Sequence, residues 1–281
     1  MPSLTPRAGN GTEVIYRHTL VVRLTHWINV LAVSLLLMSG LQIFNAHPRL
    51  YWGQAGADSD KAFIEMVAKD PNAEKPVGVT RIAGHEFNTN GILGVSNAGG
   101  GPTERGFPNW ATLPGPRNLT DGRHWHFFLA WLLVINGTIY MLWGLINGHF
   151  RRDIAPTLDQ LRPRHILRDI FDHIRLKHPV GEAAKSYNVL QKFAYISVAF
   201  LLLPAMILTG LTMSPGFDAF APWLLDLFGG RQSARTIHFI SANLIVLFVI
   251  VHVVEVFIAG VWNEVRSMIT GRYVIKTEKD A

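Results

Sequence analysis

Hydrophobic positions along the chain are gathered into four long runs separated by polar stretches. The runs lie near 24–45 (LTHWINVLAVSLLLMSGLQIF), 125–147 (WHFFLAWLLVINGTIYMLWGLIN), 193–213 (FAYISVAFLLLPAMILTGLTM) and 237–261. Each reaches the roughly 20 apolar residues that a helix needs to cross a bilayer. The pattern predicts an all-α integral membrane protein, a four-transmembrane-helix bundle in which residues 1–281 form one domain. Between the first two runs, residues 46–123 are rich in Gly, Pro and Asn and have too few apolar residues to fold alone. They are expected to form a loop-rich cap resting on the outer helix ends, with a short helix over SDKAFIEMVAKD. Within the connection 148–192, LDQLRPRHILRDIFDHIRLKH reads as an amphipathic basic helix lying against anionic lipid headgroups. Residues 262–281 read as a short helical exit and a charged tail.

Charge orients these segments. Residues 151–192 are rich in Arg and Lys, whereas 214–234 contains only Arg231. Basic loops stay in the cytoplasm, which places 151–192 and both termini there and makes 46–123 periplasmic. The expected location is the bacterial inner membrane. The first apolar run is full length and follows a polar stretch, so it is expected to stay as an anchor and not be cleaved. The net charge of +6 follows from this bias. It flanks the spans and builds no binding face, which argues against nucleic acid as a partner. The chain has no cysteine, which excludes disulfides, iron–sulfur clusters, thiol nucleophiles and covalent haem attachment.

The chemistry lies in the fourth run, SARTIHFISANLIVLFVIVHVVEVF, which carries His238 and His252 with little else that is polar between them. Fourteen residues bring two side chains back to one helix face about 21 Å apart along the axis. Ligands of a single metal would be three or four residues apart, so these two imidazoles serve different depths. Depth also selects their partners. His126 and His238 both stand at the outer start of a span. His26 is about 28 Å from the outer end of the first span, and His252 about 26 Å from the outer start of the fourth. Two depth-matched pairs, His126–His238 and His26–His252, can each hold the iron of one non-covalent haem b from both faces. A neutral imidazole brings no charge into the membrane and is a common metal ligand. With both axial positions filled, electron transfer is favoured over oxygen chemistry. Taken singly, any of the four is equally readable as a polar helix contact or a proton-relay member. In HWH, His124 is the rival to His126, on the other side of the helix. His18, His47, His85, His149, His165, His173 and His178 are expected to be solvated.

Two further regularities surround the ligands. Arg23, Arg123 and Arg235 each precede a proposed ligand by three residues (RLTH, RHWH, RTIH), on the same helix face. Each can reach a haem propionate with a charge-assisted bond or snorkel to headgroups. Gly40 lies on the His26 face at the outer depth, and Gly137 and Gly144 share the His126 face near the inner depth. They leave room for a flat macrocycle or for close helix packing. LLLMSGLQI and MILTGLTM echo each other, too briefly to argue a duplication.

At these residues the chain resembles the prokaryotic cytochrome b561 superfamily, which includes the b-type cytochrome subunits of nickel–iron hydrogenases and the gamma subunits of formate dehydrogenase. RLTHWINVLAVSLLLMSGL resembles the first-helix motif and RTIHFISANLIVLFVIVHVVEVF the last helix. RHWHFFLAWLLVINGTIY and the long insert resemble the subgroup called thiosulfate reductase cytochrome b subunit, often encoded beside a periplasmic molybdopterin oxidoreductase. The resemblance implies electron transfer between such a periplasmic partner, docked on the insert, and membrane quinone. It also puts the quinone near the inner haem. Glu255, three residues beyond His252, is then the candidate for handling the quinone's proton. Two rival functions are a free-standing cytochrome that passes electrons from superoxide or another small donor to quinone, and a proton-coupled transporter. Transporters usually have more spans and broken helices.

The topology is checked with reporter fusions. A reporter active only in the periplasm should work at Gly100 and fail at Pro163, and one active only in the cytoplasm should do the reverse.

Overall fold

The computed structural model of the protein describes residues 7–8, 12–57, 59–97, 100–175 and 187–276. His178 lies outside them. Four helical stretches are long and apolar enough to cross a membrane: Leu20–Phe44, Leu119–Ile146, Val189–Thr212 and Arg231–Thr270. Each of the four apolar runs overlaps one of these helices, and every helix begins several residues before its run. The protein is therefore a multi-pass membrane protein, mostly helical. The all-α expectation is corrected, because strands form in the insert and near both ends of the chain.

In chain order the elements begin with strands β1 (Arg7–Ala8) and β2 (Thr12–Tyr16) and the first span, α1 (Leu20–Phe44). The insert follows, with β3 (Arg49–Leu50), β4 (Ile64–Ala68), β5 (Gly78–Ile82), β6 (His85–Asn88), β7 (Gly94–Asn97) and β8 (Pro102–Arg105). The second span is α2 (Leu119–Ile146), and α3 (Pro163–Ile174) lies in the connection after it. In the third span, α4 (Val189–Ile196) and α5 (Leu203–Thr212) are joined by a π-helical stretch, Ser197–Leu202. Short helices α6 (Pro215–Phe220) and α7 (Trp223–Leu227) precede α8 (Arg231–Thr270) and β9 (Arg272–Lys276). By its contacts the chain divides into two units. One comprises Met1–Ile28, Asn136–Leu203 and Leu244–Ala281, and the other Asn29–Ile135 and Pro204–Asn243.

The second of these units contains the insert, and here the sequence expectation fails. SDKAFIEMVAKD forms no helix. Its centre is β4, one of the two inner strands of a four-stranded antiparallel sheet ordered β3-β4-β5-β6. An apolar run this short fits both helical and strand periods. Pairing decides between them, with Ile64 opposite Ile82 and Ala68 opposite Gly78. Ile64, Met66 and Ala68 alternate onto one face and are buried. Their core is shared with the spans: Phe44 of α1 joins Leu50, Ile64 and Met66, with Phe107 of the insert and Phe239 of α8 packed against them. The insert does borrow its apolar partners, as its composition requires.

Polar staples complete the attachment. Thr236 Oγ1 donates to the Tyr51 carbonyl at 2.6 Å, and Gly53 N–H to Ser233 Oγ at 2.7 Å. Asn45, at the end of α1, brackets Phe107, donating to its carbonyl at 3.1 Å and accepting its N–H at 2.7 Å. Deeper in the insert, the buried guanidinium of Arg105 donates to the Phe107 carbonyl at 2.6 Å, to Asn109 Oδ1, and to Thr112 Oγ1 and the Gly115 carbonyl, each at 3.3 Å. Burial and the neighbouring Arg117 charge lower its pKa from the ordinary arginine value.

In the unit that contains the chain ends, β2 lies between β1 and β9, and its antiparallel register with β9 runs from Thr12 opposite Lys276 to Tyr16 opposite Arg272. Residues 12–16 and 272–276 are thus on one side of the membrane, as an even number of spans demands. The strand β9 replaces part of the expected tail. The expected amphipathic helix is realised as α3, with Pro163 in its first turn. Asp169 on it accepts the Val189 N–H at 3.1 Å, where α4 begins with a capping box formed by Asn188 and Gln191. Within α8, Gly260 breaks the helix at φ 105° and ψ 82°. That left-handed value is open to glycine and costly to other residues. The break coincides with the end of the fourth hydrophobic run.

Replacing Arg105 by Met should loosen the insert by about 2–3 kcal/mol, since several buried acceptors lose their donor at once. Faster limited proteolysis within 46–118, with the spans intact, is the expected readout.

Candidate functional site

The four predicted ligands come together in two pairs, one in each unit. His126 on α2 faces His238 on α8, with ring centroids 6.3 Å apart and an interplanar angle of 60°. His26 on α1 faces His252 on α8, with centroids 6.4 Å apart at 58°. Two imidazoles on opposite sides of one metal, with nitrogen–metal bonds of about 2 Å and centroids about 1.1 Å further on, stand about 6.2 Å apart. The donor sets therefore fit a bis-histidine haem at both places. Directly packed imidazoles linked by a hydrogen bond would come closer. His124 is exposed on the outside of α2, and His126 makes the pairing.

The outer pair is held by residues that sequence reasoning passed over. His126 Nδ1 lies 3.1 Å from Ser39 Oγ, and His238 Nδ1 lies 3.0 Å from Thr209 Oγ1. Each hydroxyl also has a carbonyl of its preceding turn within bonding distance. Ser39 donates to the Leu35 carbonyl at 2.8 Å, and Thr209 to the Ala205 carbonyl at 2.6 Å, in the usual back-bond to the preceding turn. Glycine follows each hydroxyl residue. A Cβ added at Gly40 would stand 3.3 Å from His126 Cε1, and one at Gly210 would stand 3.5 Å from His238 Cε1. Gly40 thus gives room to the ligand ring. The signal that could have found Ser39, Thr209 and Gly210 was the echo MSGL and LTGL, set aside above as too short.

The inner pair is held differently. His26 Nδ1 is buried and has no hydrogen-bond partner. Trp27, edge-on to His26, donates its indole N–H to the Met268 carbonyl at 3.0 Å. Phe248 stacks on His252 with centroids 5.8 Å apart and an angle of 12°. Tyr195 meets Phe248 edge-on, Tyr187 meets Tyr195, and the Arg17 guanidinium lies over Tyr187. This aromatic series connects the ligand face to the sheet that holds the chain ends.

The arginines have protein partners in addition to any propionate. Arg23 donates to the Ile269 carbonyl in the last turn of α8, where a cation suits the helix dipole. Arg235 donates to the carbonyls of Arg49, at 2.9 Å, and His47, which ties the insert to α8. Arg123 lies over the Phe127 ring, 5.6 Å from its centroid. Nothing approaches within 4 Å of a Cβ built at Gly137, whereas one at Gly144 would strike the Phe150 ring. Glu255 stands 3.4 Å from His173 Nε2 on α3.

Two of the histidines expected in solvent are not there. His18 is buried beside α1, and its pKa falls to about 4 because burial, then the Arg17, His26, Arg23 and His149 charges, disfavour its cation. His149 is largely covered and bonds Asp153 at 2.6 Å.

Residues 17–271 match the family described as prokaryotic cytochrome b561. A relative in Azospira oryzae, named as a protein-methionine-sulfoxide reductase subunit (YedZ1), is 27% identical over 245 residues, covering 87% of this chain and 91% of the relative. A protein of Cupriavidus necator, named as a Ni/Fe-hydrogenase B-type cytochrome subunit, is 28% identical over 185 residues, 59% of this chain and 74% of that one. No solved structure matches the chain.

Proposed function

This chain belongs to the prokaryotic cytochrome b561 family, an electron-transfer cytochrome family that implies b-type haem, and we propose that it is a di-haem subunit linking a periplasmic oxidoreductase to membrane quinone. The observation that carries the reading is the pair of imidazole gaps, 6.3 and 6.4 Å between centroids, each the width of a bis-histidine metal site. When bound there, haem b would supply one-electron transfer. His126 and His238 would hold the outer group, and His26 and His252 the inner. Arg23, Arg123 and Arg235, each three residues before a proposed ligand, would offer guanidinium donors to the carboxylates of the bound group. Phe248 stacks on His252 and would help to fix the plane of its ring.

The two named relatives are called subunits of a reductase and of a hydrogenase, which supports a redox partner for this chain. The subgroup resemblance favours a molybdopterin enzyme. The insert is the docking platform in this reading, because its sheet is fixed to the same ends of α1 and α8 that flank the outer pair. Arg105→Met should then uncouple partner turnover from quinone reduction while haem content holds. At the inner pair Glu255 handles the quinone's proton, holding it at the carboxylate that faces His173.

A pyridine haemochrome assay of the purified protein should give two haems b per chain, and His238→Ala or His252→Ala should each remove one. A parent protein with one haem, or none, overturns the reading. Glu255→Gln should keep both haems and slow quinone-linked reoxidation, most strongly toward pH 9, where free protons are scarce. Equal rates for variant and parent from pH 6 to 9 would leave Glu255 a structural partner of His173.

A further inference from the structure

The outer ligands are each gripped by the same two-residue device, on two different helices. In α1, Ser39-Gly40 supplies a hydroxyl 3.1 Å from His126 Nδ1 and, at the next residue, a missing side chain under the same ring. In α5, Thr209-Gly210 repeats the arrangement on His238 at 3.0 Å. Ser39 and Thr209 are both fully buried. A buried serine or threonine bonded to its own preceding turn is common and by itself means little. Meeting the same ligand nitrogen twice, each time with glycine next in sequence, is a specific arrangement.

The proton positions follow from the partners. Ser39 gives its only hydrogen to the carbonyls of Leu35 and Leu36, at 2.8 and 3.1 Å, and Thr209 gives its own to those of Ala205 and Met206, at 2.6 and 3.3 Å. Each hydroxyl oxygen is left as an acceptor, so the hydrogen between it and the imidazole belongs to Nδ1. A neutral ring with hydrogen on Nδ1 has its lone pair on Nε2. Among the described residues the inner pair has no such device, and His26 Nδ1 is buried without a partner.

We infer that Ser39 and Thr209 are positioning residues of the outer metal site. They fix the tautomer in which Nε2 of His126 and of His238 is the ligand atom. By accepting Nδ1–H they also make both imidazoles more basic toward the metal. More basic ligands favour the ferric over the ferrous state, so the two hydroxyls lower the reduction potential of that site alone. The inference rests on the two-haem reading and adds to it residues that discriminate one haem from the other.

The test is a potentiometric titration of the full-length holoprotein, followed in the haem α-band. In Ser39→Ala and in Thr209→Ala, one of the two waves should move upward, and it should be the same wave in both. The expected size is about tenfold in the ferric/ferrous equilibrium, or about 59 mV for a one-electron couple. The other wave should stay in place. Ser39→Thr and Thr209→Ser, which keep a hydroxyl, should match the parent. Two unmoved waves in both alanine variants at full haem content overturn the inference. So does an equal shift in the hydroxyl-retaining swaps, which would assign the effect to packing. If an alanine variant loses a haem, full haem content in its hydroxyl-retaining counterpart supports the inference, and equal loss there overturns it. A parent protein without two haems removes the two-haem reading itself, an outcome distinct from all of these.

Discussion

An imidazole inside an apolar helix must satisfy two ring nitrogens without water, and the organisation of this protein follows from that constraint. A neutral ring has one donor and one acceptor. Leaving either unpaired in a low-dielectric interior costs on the order of 1–3 kcal/mol. A metal takes the acceptor, and the donor needs a protein oxygen close by. In the outer pair that oxygen comes from Ser39 and Thr209, whose helices must approach closely enough for Gly40 and Gly210 to lie against the rings. The positions of α1 and α5 around the two ligands are thereby tied to the chemistry of the ligands themselves.

The two pairs are built differently, and at His26 Nδ1 the inner one leaves that constraint unmet by the protein. Around the outer pair, polar contacts dominate: hydroxyls on both rings, Thr236 and Ser233 bonding the Tyr51–Gly53 backbone, and Arg235 on the carbonyls of His47 and Arg49. Around the inner pair, aromatic contacts dominate, from Phe248 through Tyr195 to Tyr187. A ring stacked on an imidazole shields it and fixes its plane without offering a strong acceptor. The inner ligands are therefore oriented by shape, and the outer ones by hydrogen bonds as well.

The apolar spans and the pairing of the four histidines were legible in the sequence because they depend on one-dimensional facts. Apolar run length sets a span, and 1.5 Å per residue converts position into depth. The insert was illegible for the opposite reason. Whether IEMVA is helix or strand is decided by Gly78–Ile82 and by apolar faces at Phe44 and Phe239, none of which is adjacent in sequence. His18 was misjudged likewise: its backbone lies against Gly271, far along the chain, which local sequence does not show. Ser39 and Thr209 lie between. Their pattern is visible as MSGL and LTGL, and its meaning depends on which histidine each faces. Local periodicity cannot provide that.

The pairing of β2 with β9 has a consequence for biosynthesis. Tyr16 is opposite Arg272, so the strand Thr12–Tyr16 waits for all the chain between them before its partner exists. At typical elongation rates of about 5–20 residues per second, that interval is roughly 10–50 s. During it the Thr12–Tyr16 segment is an open strand edge, able to pair with other chains. All four spans must be inserted before the sheet can close. A chain truncated before Arg272 would carry that unpaired edge permanently.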